Sequence, residues 1–149
     1  MPSEERNTWA SLAVSLMVNL YFLRRILAMF SDGTSTAPDA MQLWARTVIW
    51  IVPISIVAHV ILIVVASVVR TALSGEKQAI FLTDERDGKF ELLGMGAMML
   101  LVVLGFLAAL SALALGYSGF IAFNLIYAGF ALGDIAGNLV RLGLYRSGT

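Results

Sequence analysis

Two ionisable side chains stand inside otherwise apolar stretches of this chain: His59, within a run from Thr47 to Val69, and Asp134, within a run from Gly119 to Leu142. An imidazole and a carboxylate together can pass protons or hold a small cation. An ionised group at the centre of a bilayer costs about 2.5–3.5 kcal/mol, so such residues face protein or water rather than lipid. Asp134 is one member of a ridge. Tyr127, Asp134, Asn138, Arg141 and Tyr145 fall within a sector of about 60° on an ideal helix, with Asn124 close beside them. Ser55 lies one turn before His59, and Thr8, Ser11, Ser15 and Asn19 make a polar stripe on an earlier segment. Counted from the ends of their segments, His59 and Asp134 lie at similar depth. Two uses of this set stay open. One is a proton or ion relay, or a small binding site, at His59 and Asp134. The other, preferred here, is a polar clasp that fixes helix register, since such contacts average only about 0.6 kcal/mol each and specify more than they stabilise.

The elements that must position these groups follow from composition. The chain has 149 residues, 59% hydrophobic and 13% charged, with a mean hydropathy of +0.85. Soluble domains carry roughly 25% charged residues, so a surface this apolar calls for lipid as its solvent. A helix needs about 20 apolar residues to cross about 30 Å of hydrocarbon. Segments near 9–30, 47–69, 93–115 and 119–142 meet that length. The expected fold is therefore all-α: a single transmembrane domain built as a four-helix bundle, antiparallel and up-down-up-down. The short Gly116-Tyr117-Ser118-Gly119 link makes the third and fourth helices a tight hairpin. Pro53 is expected to kink the second helix. The N-terminus does not read as a cleaved signal peptide, because Glu4, Glu5 and Arg6 mix charges ahead of a long apolar run.

Small residues supply a second pattern. Gly129, Gly133 and Gly137 recur every four residues, and Gly105, Ala109, Ala112 and Gly116 make a similar stripe on the third helix. A glycine-zipper face of this kind lets backbones approach closely, which is how helices hold together in lipid. Packing of the hairpin is the simplest use of it, and a homodimer seam the rival.

The segment from 70 to 90 is the long charged connection. Thr83 reads as an N-cap, so the third helix is expected to begin near Asp84 and to project from the membrane. On that turn Asp84, Asp87 and Glu91 share a face, while Glu85 and Lys89 pair on another. Three carboxylates are a weak candidate for Mg²⁺ or Ca²⁺. Ion pairing with Arg70, Arg141 or Arg146 is preferred, and simple solvation is the third possibility. These residues also carry a likeness. Asp84-Glu85-Arg86-Asp87 with Glu91 ahead of a membrane helix, together with the tail Tyr145-Arg146-Ser147-Gly148, resembles a family of small uncharacterised prokaryotic membrane proteins with four spans. The resemblance covers the last two helices better than the first two. It departs after Glu91, where the family is more polar and this chain reads Leu92-Leu93-Gly94-Met95-Gly96. It implies the four-span architecture and a bacterial inner-membrane setting, and no established reaction.

Charge narrows the rest. Arg6, Arg70, Lys77, Arg86, Lys89, Arg141 and Arg146 fall on the side of the termini and the middle connection, against Arg24, Arg25 and Arg46 on the other. That asymmetry expects cytoplasmic termini. Trp44, Trp50 and Tyr117 suit the outer interface, and Trp9 and Tyr145 the inner. Zero net charge argues against nucleic acid as a partner. With a single His and no Cys, no catalytic motif and no cofactor is evident. The expected function is a membrane-embedded interaction or accessory protein, with the bilayer and either a second copy or another membrane protein as partners. The alternative is an oligomeric proton- or ion-translocating protein using His59 and Asp134.

Overall fold

The computed structural model of the chain describes residues 3–74 and 85–147. They form α1 (Ser3–Ser31), a short 3-10 turn (Thr34–Thr36), α2 (Ala40–Ser74), α3 (Glu85–Ala114) and α4 (Gly119–Ser147). All four α-helices contain a stretch long and apolar enough to cross a membrane, the architecture of a multi-pass membrane protein. Thr83, Asp84 and the greater part of the charged connection lie outside the described residues.

Local chemistry sets the helix ends. Ala37 precedes Pro38 and is extended (φ −68°, ψ 152°), as the residue before a proline is driven to be. Helix α2 starts directly afterwards, at Ala40, several residues earlier than its hydropathy indicates, because Gln42 and Arg46 dilute the apolar signal of a segment that is already helical. It then runs unbroken through Pro53. In the preceding loop, hydrogen bonds from the Thr34 side chain and backbone hold the Asp32 carboxyl below the usual carboxylate range. That contribution is present at neutral pH and is lost as pH falls through the lowered value. At the hairpin, Gly116 adopts φ 84° and closes α3 with paired hydrogen bonds, Tyr117 N–H to the Ala112 carbonyl and Gly116 N–H to the Leu113 carbonyl, each 3.0 Å.

Helices α3 and α4 pack along their length, α1 lies against both α4 and α2, and α2 is the least covered of the four. The α3–α4 seam is backbone on backbone. A methyl added at Gly105 would lie 2.6 Å from the Gly129 Cα, and one added at Gly129 would lie 2.9 Å from the Gly105 Cα. At Gly133 and Gly137 the obstacles are the carbonyls of Met98 and Gly94, both at 2.8 Å. Ala109 and Ala112 are buried, completing the small-residue face on α3. The glycine face of α4 is thus filled by α3 of the same chain. At the end of the molecule near the α1–α2 loop, Phe22, Ile26 and Met29 of α1, Ala40, Trp44 and Ile51 of α2 and Phe120 of α4 form an apolar core. Trp44 is buried in this core, whereas Trp50 is exposed.

The seam predicts a contrast. Gly105→Ala or Gly129→Ala forces the helices apart and lowers stability in detergent by about 1–3 kcal/mol. Gly96→Ala meets nothing within 4 Å and raises stability by about 0.5–1 kcal/mol. Equilibrium unfolding followed by circular dichroism reads both, and equal effects at Gly105 and Gly96 would contradict the seam.

Candidate intramembrane polar site

The ridge on α4 turns toward α1, and each of its groups inside the apolar zone meets a polar partner. Tyr127 donates its hydroxyl to Asn19 Oδ1 at 3.0 Å while its ring stacks on Phe22, with centroids 3.7 Å apart. Asn124 Oδ1 accepts the Trp44 indole N–H at 3.1 Å, and its amide donates to the Phe120 carbonyl at 2.8 Å. Asp134 accepts the Ser15 hydroxyl on Oδ2 and the Asn138 amide on Oδ1, the latter at 3.2 Å. Asn138 is the most deeply buried large side chain, 1% exposed. It donates also to the Asp134 carbonyl at 2.9 Å and accepts Arg141 Nη2 at 3.0 Å. Arg141 reaches back to the Gly137 carbonyl at 3.4 Å. Ser15, Asp134, Asn138 and Arg141 are therefore one connected network across α1 and α4.

His59 enters from α2. It lines a cavity of about 220 Å³ together with Ser15, Asn19, Ser55, Tyr127 and Asp134. The imidazole and the carboxylate thus share a level and a chamber. Among the described residues no hydrogen bond or ion pair joins them directly. His59 Nδ1 lies 3.3 Å from the Ser55 carbonyl, which only accepts. A neutral ring therefore carries its hydrogen on Nδ1 and leaves Nε2 as an acceptor. The cavity has room for several waters at about 30 Å³ each, and it supplies the polar contacts that water needs.

Beyond this chamber the ridge changes character. Arg146 lies 3.8 Å from Glu5 of α1 and stacks over Trp9, its guanidinium carbon 5.4 Å from the ring centroid. The Arg146 side chain is 64% exposed, so this pair contributes little. Arg86 lies over Phe90 at 5.3 Å, and Phe90 packs edge-on against Tyr145 at 5.1 Å. Arg141 meets Asn138 and Arg146 lies against Glu5, while much of the charged motif expected to pair with them lies outside the described residues. Asp87 is half-buried and Glu91 exposed, while Asp84 and the side chains of Glu85 and Arg70 lie outside the described residues. Among the described residues no three acidic or imidazole groups gather as a metal site.

Sequence reasoning missed two members. Glu5 continues the polar stripe of Thr8, Ser15 and Asn19, and its helical offset was the available signal. Trp44 carried no signal for Asn124, because an indole is equally at home in a core or at an interface.

Compared with protein families, with curated proteins and with solved structures, the chain matches none. The site is therefore read from its own geometry.

The network implies an order of sensitivities. Asn138→Ala removes the partner of Asp134 Oδ1 and of Arg141 Nη2 and lowers stability by about 1–3 kcal/mol. Tyr127→Phe keeps the stack on Phe22, loses one hydrogen bond, and lowers it by about 0.5–1.5 kcal/mol. Unfolding in detergent ranks the two, and a larger loss for Tyr127→Phe would reverse the assignment of Asn138 as the hub.

Proposed function

We propose that this chain is a membrane-embedded interaction or accessory protein of the bacterial inner membrane, with both termini in the cytoplasm. The exposure of α2 carries the reading. Only 6% of its most apolar window is buried, against 33% for α1. Val60, Val64 and Val68 recur along one face of α2, each at least 54% exposed. Helices associate in lipid through close side-chain packing, and this flank has room for a helix of another membrane protein or of a second copy. The inner-membrane setting draws on the likeness of Asp84-Glu85-Arg86-Asp87 with Glu91, and of the Tyr145-Arg146-Ser147-Gly148 tail, to the small four-span family, and the sidedness on the basic-residue asymmetry.

The absence of cysteine from the chain makes single-cysteine variants clean probes. Crosslinking from Val60→Cys, Val64→Cys or Val68→Cys in native membranes is expected to yield a defined polypeptide adduct. Adducts to lipid alone at all three positions would reject the reading. For sidedness, a membrane-impermeant maleimide is expected to label Ser35→Cys and to spare Ser147→Cys in intact cells, and the opposite labelling would invert the topology.

A second reading is favoured by the shared chamber of His59 and Asp134: proton or ion translocation by an oligomer. On this reading, proteoliposomes show a pH-dependent flux that Asp134→Asn abolishes while the protein stays folded. No flux from the unaltered protein removes it.

A further inference from the structure

At the opposite end of the bundle from Arg141, two arginines, Arg25 and Arg46, line one cavity with Asp32. Arg25 lies six residues before the end of α1, and Arg46 six residues after the start of α2. At about 1.5 Å per residue, both sit about 9 Å in from the loop, at one level on neighbouring antiparallel helices. They line a single cavity of about 330 Å³ with Asp32, Thr34, Thr47 and Trp50. Among the described residues neither guanidinium makes a hydrogen bond or ion pair. Its inner wall is apolar, formed by Ala28, Met29 and Leu43. Arginines at this depth belong where hydrocarbon gives way to headgroups.

We infer that Arg25 and Arg46 hold the phosphodiester of an anionic phospholipid in the leaflet next to the α1–α2 loop. The charge fits: two guanidinium groups and the Asp32 carboxylate leave one positive charge in excess, matching the single negative charge of a phosphodiester. The shape fits as well. A planar guanidinium offers paired donors to phosphate oxygens. The apolar wall accommodates glycerol and the first acyl carbons, for which free phosphate has no use. The site also supplies a reason for arginines on the side of the membrane that is otherwise poor in them, since each is placed to meet a lipid phosphate. The inference is independent of any protein partner on α2 and of ion movement through the His59 chamber.

The test uses the full chain in non-ionic detergent, titrated with phosphatidylglycerol, phosphatidylcholine or inorganic phosphate, with lipid retention read by native mass spectrometry and stability by thermal unfolding. Phosphatidylglycerol is expected to be retained and to raise the unfolding midpoint more than phosphatidylcholine, with inorganic phosphate giving no shift at the same concentration. Arg25→Gln and Arg46→Gln should each weaken phosphatidylglycerol binding by about tenfold, a loss of roughly 1.4 kcal/mol. Arg24→Gln, one residue away and outside the cavity, should leave it unchanged. Equal weakening by Arg24→Gln would reduce the effect to general surface charge and overturn the site. Competition by inorganic phosphate would overturn the lipid as its occupant. Should the glutamine variants fail to fold, Arg25→Lys with Arg46→Lys keeps both charges and removes the planar forks. A severalfold weakening then supports the site, and unaltered binding overturns it.

Discussion

Hydrocarbon offers no hydrogen-bond partner, and that single constraint organises the structure. Backbone groups are satisfied within each helix, but side chains such as Asp134, Asn138 and Tyr127 must find partners on a neighbour. They find them on α1 through Ser15 and Asn19 and along α4 itself. The rotation of α4 about its axis is set by that requirement. Once the polar ridge faces α1, the glycine stripe on a different side of the helix is presented to α3, and the two interfaces define the middle of the fold.

The two interfaces of α4 work by different physics. Against α3 the helices approach until the Gly105 and Gly129 backbones touch, gathering dispersion contacts along the seam. Against α1 the contacts are polar side chains, aromatic stacking of Phe22 on Tyr127, and the clasp of Glu5 with Arg146 where the two helices end. The first interface supplies adhesion and the second supplies register. Helix α2 takes part in neither to the same degree. It is anchored by Ala40, Trp44 and Ile51 near the α1–α2 loop and is exposed over much of the remainder.

This unequal packing places chemistry at two levels. Where α1, α2 and α4 fail to close completely, a chamber remains with His59 and Asp134 on its walls. Between α1 and α2 near their loop, a second chamber remains with Arg25 and Arg46. A valine-rich helix cannot approach a neighbour as closely as a glycine-bearing one, so gaps are left between side chains and polar groups line them.

How much was legible in the chain alone follows the range of the interactions. Apolar run length and helical periodicity are local, so the number of spans, the glycine face of α4 and the need for its polar ridge to face protein were all determined by the sequence. The common depth of His59 and Asp134 was also readable, by counting from the ends of their segments. Only the tertiary structure decided that Asp134 bonds Ser15 and Asn138 and not His59, that Trp44 turns inward to Asn124, that Glu5 meets Arg146, and that Arg25 and Arg46 share one cavity. Each of those outcomes depends on the relative rotation and depth of two helices. Those are set by the sum of many contacts distant in sequence, which no periodicity within a single helix contains.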